Sequence, residues 1–204
     1  AIRRDLERAK AEAEARNAEL VAATARIEHT SLHDALTRLP NRRYLDRFLG
    51  ERAAAAGDEA GIALLHIDLD RFKQINDTLG HAAGDAMLVH AAEILRTNVR
   101  DDDFVARIGG DEFVVVSSLR NGRRDLTRLA TRIIDQMREP MPYMGHECRC
   151  GVSVGIAYQR GAQVDDKRLL VDADIALYRA KRRGRNRYEF FTEALQAEIV
   201  STKQ

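Results

Sequence analysis

The sequence predicts an α+β fold: a central, mostly antiparallel sheet flanked by helices, with a split βαβ arrangement, preceded by one long N-terminal helix. Three observations carry this. Ile62-Ala63-Leu64-Leu65-His66-Ile67-Asp68-Leu69-Asp70 is a nearly continuous apolar run, the pattern of a strand buried on both faces. Phe104-Val105-Ala106-Arg107 and Val114-Val115-Val116 flank Ile108-Gly109-Gly110-Asp111-Glu112-Phe113, which reads as a hairpin whose glycines supply positive φ. Between these runs apolar residues recur at helical spacing, so helices alternate with strands.

Residues 1–31 contain neither Gly nor Pro, and Leu6, Ala13, Leu20 and Ile27 fall seven apart with Ala9 and Ala23 offset by three. That seam is too thin for a core of its own. Pairing with a second copy would bury it; a solvated connector helix, with Arg16 in the seam, accounts for it equally well. Pro40 disfavours helix at Leu39, and Asn41 can cap the next helix over 42–56. Gly57 and Gly61 bracket a loop before the strand at 62–70. A short helical piece follows, then Gly80 and Gly84 flank the start of a longer helix with Met87, Leu88, Ala91, Ile94 and Leu95 on one side. After the hairpin, 124–137 is an amphipathic helix, 148–157 a strand and 169–182 a last helix. The domain reading is therefore a rod over 1–31, a globular unit over 32–191 and an exit segment over 192–204.

Composition narrows the function classes. A net charge of +1 argues against a general nucleic-acid binder, whose electrostatics need a strong basic excess. No apolar run has bilayer length and the start is not a signal peptide, so no membrane contact is expected within these residues. Cys148 and Cys150 stand two apart on the expected strand, sharing a face at a spacing awkward for a bridge, which favours a reducing compartment and argues against zinc. The absent initiator Met suggests a piece of a longer protein, with an upstream sensory domain preceding it.

The chemistry gathers at the strand ends. Asp68 and Asp70 share a face at the carboxyl end of their strand, where carboxylates are costly unless something positive binds. Mg²⁺ is the economical partner, since it takes oxygen ligands and keeps substrate phosphates in its shell. Capping by Asp70 and a surface ion pair at Asp68 explain them nearly as well. If the hairpin lies alongside, Asp111 faces Asp68 across the sheet, and the two carboxylates with the Leu69 carbonyl form a metal site. Asn76 and Asp85 have the amide and carboxylate that a guanine edge requires, although both are ordinary turn and cap residues. Lys181, Arg182, Arg183 and Arg185 close the last helix with charge suited either to the macrodipole or to a triphosphate.

Four ordered motifs carry a resemblance. Asp34-x-Leu-Thr-x-Leu-Pro-Asn-Arg-Arg, Asp68-x-Asp-x-Phe-Lys-x-x-Asn-Asp-x-x-Gly-His-x-x-Gly-Asp85, Arg107-x-Gly-Gly-Asp-Glu-Phe113 and Ala176-Leu-Tyr-x-Ala-Lys-x-x-Gly-Arg-Asn186 together resemble the GGDEF family of diguanylate cyclases, over about residues 32–191. The resemblance implies a fold like nucleotidyl cyclase and polymerase palm domains, and condensation of two GTP into cyclic di-GMP with release of two pyrophosphates. It implies Mg²⁺, with Mn²⁺ as a substitute, held by Asp68, the Leu69 carbonyl and Asp111, with Glu112 assisting the metal or taking the proton of the attacking hydroxyl. Phe72 and Lys73 would lie along the phosphates, Lys181 and Arg185 at their outer end, Asn76 and Asp85 on guanine, and Gly109 and Gly110 would admit the nucleotide against the backbone. Arg100-x-x-Asp103, with Arg132, would form a product-inhibition site for cyclic di-GMP. Arg71 and Arg38 depart from the family pattern without touching a proposed ligand. The resemblance further implies a homodimer for catalysis and a cytoplasmic setting, free or as part of a membrane-linked protein. Rival readings are a catalytically silent GGDEF module that binds GTP or cyclic di-GMP to regulate a neighbour, and a coiled-coil interaction protein.

Overall fold

In the computed structural model residues 2–55, 61–160 and 164–193 are described. The elements run α1 (Ile2–Leu32), α2 (Arg42–Ala55), β1 (Ile62–Leu69), α3 (Phe72–Leu79), α4 (His81–Asn98), β2 (Phe104–Arg107), β3 (Glu112–Ser118), α5 (Arg123–Arg138), β4 (Met141–Tyr143), β5 (His146–Cys148), β6 (Val152–Gln159), α6 (Asp166–Arg182) and β7 (Tyr188–Phe190). Five strands form one sheet in the order β2-β3-β1-β6-β7, antiparallel except for the β6–β7 pair.

The apolar run makes β1 the central strand, buried along its whole length. Its alternate residues feed two cores. Ala63, Leu65, Ile67 and Leu69 pack with Ile75, Met87, Leu88, Ala91 and Ile133 beneath α3, α4 and α5. Ile62 and Leu64 pack with Leu45, Leu49, Leu169 and Ala173 of α2 and α6. A strand sandwiched this way needs no polar alternation, because both faces leave water. Gly155 on β6 lets α6 lie unusually close: a Cβ there would sit 2.1 Å from the Ala173 carbonyl oxygen and 2.3 Å from the Leu177 nitrogen. The C-terminal end of α6 is thereby laid over the end of β1.

The α1 helix buries none of its residues, and Leu6, Leu20 and Ile27 stand exposed. It is tied to the start of α2 through Asn41, which accepts from the Tyr44 amide at 3.1 Å as an N-cap and donates from Nδ2 to the Ser31 carbonyl at 2.9 Å.

Several expectations need correction. The stretch 148–157 is not one strand: Cys148 closes β5 and the ladder resumes only at Val152, so Cys150 lies in a connection rather than beside Cys148 on a strand face. Both thiols are buried and free, and burial pushes that of Cys150 up to about 12. The β4–β5 hairpin turns on Met144 and Gly145, both at positive φ, and β7 is formed from residues near the end of the globular unit to which no strand was assigned. The α6 helix starts three residues early because Asp165 caps it, accepting from the Arg168 amide at 3.1 Å. Ala56, Gly57 and residues 194–204 of the exit segment fall outside the described residues.

Candidate active site

Antiparallel pairing brings the end of β1 against the start of β3. The register places Asp68 opposite Glu112, not Asp111. Asp111 stands one position earlier, its carbonyl accepting from the Leu69 amide at 3.1 Å. Its carboxyl nevertheless meets that of Asp68. Asp68 is 7% exposed, and burial pushes its pKa up to about 6; the Lys181 ammonium opposes the rise and the Asp111 carboxyl reinforces it. Lys181, delivered by α6, forms an ion pair with Asp68 Oδ2. Two converging carboxyls that face a single ammonium are under-neutralised, and the raised proton affinity of Asp68 reflects it. That donor set fits a hard divalent cation. Among the described residues no three His, Cys, Asp or Glu side chains are grouped to hold a metal, so main-chain, water or substrate oxygens must complete its shell.

Glu112 turns to a partner that the sequence reading passed over. His66 Nε2 lies 3.1 Å from Glu112 Oε1, and Nδ1 lies 3.5 Å from Asp174 Oδ1. The His66 bond holds the Glu112 carboxyl below the usual range against its burial, helped by the charges of Lys181 and Arg42. The imidazole is 6% exposed. Its signal was periodicity: His66 is two residues before Asp68, hence on the same face of β1.

The Gly-Gly turn differs from expectation. Neither Gly109 nor Gly110 has positive φ; the turn is a longer loop closed by the Ile108 amide donating to the Glu112 carbonyl at 2.9 Å. A Cβ on Gly109 would come within 2.8 Å of Glu112 Oε2, whereas one on Gly110 would have nothing within 4 Å. The chain itself therefore does not require glycine at 110. Arg107 braces the loop from behind. Its Nη2 donates to the Gly110 carbonyl at 2.8 Å, its Nε is shared between the Gly109 and Gly110 carbonyls at 3.2 Å, and its Nη1 pairs with Asp34 at 3.0 Å. Asp34 also accepts from the Thr37 amide and hydroxyl at 2.8 and 2.7 Å. These bonds, with Arg107, hold its carboxyl below the usual range despite burial. A cleft of about 510 Å³ opens on this side of the turn, lined by Asn41, Arg42, Arg43, Arg107, Gly109 and Gly110.

The α3 helix begins beside the carboxylates. Arg71, its N-cap residue, has φ 55° and offers no side-chain cap, leaving the amides of Phe72 and Lys73 without that partner. The Phe72 ring packs against the core while Lys73 is exposed. Asn76 sits under α4, where a Cβ on Gly84 would fall 1.9 Å from its Oδ1; Asp85, the next residue, is exposed. Arg185 lies past α6 at φ 63°. Asp70 is neither a helix cap nor part of the carboxylate pair, since it accepts from Ser153 and the Asn186 amide instead.

Arg100, Asp103 and Arg132 line a separate cavity of about 210 Å³ with Ser117, Asp125 and Arg128. Asp103 accepts from the Arg100 amide at 2.9 Å and the Ser117 hydroxyl at 2.8 Å. The Arg100 guanidinium pairs with Asp125 at 3.1 Å, and Arg132 donates to the Asn98 carbonyl at 3.1 Å.

The family described as "Diguanylate cyclase, GGDEF domain" matches residues 31–187. The bifunctional diguanylate cyclase/cyclic di-GMP phosphodiesterase MucR of Pseudomonas aeruginosa is 40% identical over 189 residues, covering 90% of this chain and 27% of MucR. Diguanylate cyclase DosC of Escherichia coli is 41% identical over 176 residues, covering 83% of this chain and 38% of DosC. Among solved structures, the GGDEF domain of TpbB from Pseudomonas aeruginosa aligns with a TM-score of 0.74 at 38% identity, covering 82% of this chain and 98% of that one. The coiled coil and GGDEF domain of DgcB from Caulobacter crescentus, in complex with c-di-GMP, aligns with a TM-score of 0.80 at 27% identity, covering 91% and 98%. The chain spans roughly a quarter to two-fifths of the length of these curated relatives.

Proposed function

Because this chain belongs to the GGDEF-domain diguanylate cyclase family, we propose that it joins two GTP molecules into cyclic di-GMP. In each of two steps the 3′-hydroxyl of one nucleotide attacks the α-phosphorus of the other and pyrophosphate leaves. The observation that carries the reading is the pairing of the buried Asp68 carboxyl with that of the half-buried Asp111, beside Lys181 and just ahead of the uncapped start of α3.

Asp68, Asp111 and the Leu69 carbonyl would hold Mg²⁺, or Mn²⁺ in its place, with Glu112 near by. When bound, the ion supplies positive charge to the phosphoryl group as the bond to pyrophosphate breaks. The amides of Phe72 and Lys73 meet the phosphates at the positive end of α3. Lys181, which pairs with Asp68, would offer its ammonium to the same phosphates, and Arg185 would take their outer end. Asn76 and Asp85 bind the guanine edge, and the space above Gly110 receives the nucleotide. Glu112, kept ionised by His66, is the carboxylate available to the attacking hydroxyl proton. Each domain holds one GTP, so two copies must face one another, which makes the homodimer the active form. Arg100, Asp103 and Arg132 form a product-inhibition site. The setting is cytoplasmic, since GTP is found there.

The test is direct. Incubation with GTP and Mg²⁺ yields cyclic di-GMP and pyrophosphate, Asp111→Asn abolishes turnover, and Arg100→Ala relieves inhibition by product. No product from intact, dimeric protein would overturn this reading in favour of a silent binding module.

A further inference from the structure

Asp70 is the acidic side chain at this end of the sheet that the proposed chemistry leaves unused. It follows β1, yet its contacts run away from Asp111. Its amide donates to the Gly151 carbonyl at 2.8 Å. Its Oδ1 accepts from the Ser153 hydroxyl at 2.6 Å and its Oδ2 from the Asn186 amide at 2.9 Å. Ser153 is fully buried, so the carboxylate is anchored to the sheet by one oxygen and spans to the bend after α6 with the other.

That bend is strained. Gly184, Arg185 and Asn186 have φ of 117°, 63° and 50°, and residues that carry side chains disfavour the left-handed region. Two of its bonds return to α6: the Gly184 amide to the Lys181 carbonyl at 3.3 Å and the Arg185 amide to the Ala180 carbonyl at 3.0 Å. The Asn186 amide instead crosses to Asp70. Lys181 at the near side of the bend is itself paired with Asp68. Asp70 thus ties the strand end that carries Asp68 to the segment that carries Arg185.

We infer that Asp70 is a positioning residue: it fixes the offset between the Asp68 carboxylate and the Arg185 guanidinium, and so the span available to a nucleoside triphosphate. This rests on the GTP reading above. Asp70 itself touches neither nucleotide nor metal.

Two measurements on the full chain decide it. Amide hydrogen exchange over 184–187, without nucleotide, reads the bend. Asp70→Ala accelerates it by roughly tenfold or more, while Asp70→Asn restores protection, because the amide oxygen can accept from Asn186 and its NH₂ can donate to Ser153. Steady-state kinetics read the consequence: Asp70→Ala raises the KM for GTP roughly tenfold with kcat within about threefold, and Asp70→Asn recovers KM. In an Arg185→Ala background Asp70→Ala adds nothing further to KM. Unchanged exchange in Asp70→Ala, or full additivity with Arg185→Ala, overturns the inference. If Asp70→Ala does not fold, Asp70→Ser, too short to span both partners, takes its place. Wild-type protein that turns over no GTP refutes the enzymatic reading, and the contrast in exchange still decides whether Asp70 pins the bend.

Discussion

Asp68 carries a conflict between folding and binding. A carboxyl raised from 3.8 to about 6 by burial binds more protons folded than unfolded across that interval. Its stabilising contribution is therefore full below the unfolded value and lost as pH rises through about 6. The shift corresponds to on the order of 3 kcal/mol at neutral pH in metal-free protein. Asp68→Asn removes that penalty, less the lost Lys181 pair, and should raise metal-free stability by about 1–2 kcal/mol while abolishing turnover; urea unfolding with chelator at pH 7 measures it. A divalent ion relieves the same penalty, so Mg²⁺ should raise Tm more at pH 7.5 than at pH 5, and an equal rise at both would contradict the assignment. Gly110→Ala tests the neighbouring space. With no protein atom near the added methyl, Tm should hold within about 1 °C while the KM for GTP rises at least about fivefold. The carboxyl pair was legible in the sequence because acids ending an apolar run have few comfortable explanations. His66 was not, since one imidazole inside a buried run looks like any other core residue until its cross-strand partner is known.

The hairpin depends on a contact between distant segments. Arg107 spans the carbonyls of Gly109 and Gly110 on one side and the Asp34 carboxylate on the other, both side chains being mostly buried. Asp34→Ala leaves that guanidinium unpaired and frees the Thr37 amide and hydroxyl, which should cost about 2–3 kcal/mol. Arg107→Lys should rescue little, because an ammonium cannot fork between a carboxylate and two carbonyls. Thermal unfolding of both variants, with KM for GTP as the reading of turn geometry, checks this; a rise in KM without loss of Tm would separate the turn from the fold. Helices and the central strands were legible from spacing alone, as strongly periodic segments are. The short strands were not: β4, β5 and β7 are three residues each, below the length at which alternation registers. The positive φ expected at Gly109 and Gly110 failed for a related reason. Four residues, Ile108 to Asp111, separate β2 from β3, and a connection of that length does not need the primed two-residue turn.

At the scale of the whole molecule, the proposed reaction would make its bond between two nucleotides held by two copies, whereas the folding core belongs to one. The α1 helix separates these demands. None of its residues is buried against the rest of the chain, so removing residues 1–30 should leave the unfolding midpoint of the remainder nearly unchanged, the Asn41 bond to Ser31 being retained. If the seam of Leu6, Leu20 and Ile27 pairs two copies, the same truncation raises the dimer dissociation constant. Burying three such side chains on each of two helices is worth several kcal/mol before the entropy of association is charged against it. Activity should then become second order in protein at sub-micromolar concentration, while the intact chain stays first order, and concentrated truncated protein should approach the original rate. Sedimentation and initial rates across a concentration series read both quantities on the same samples. Truncated protein that keeps first-order activity throughout that range would show that the facing of two domains is arranged by the globular unit itself, and that α1 is a connector.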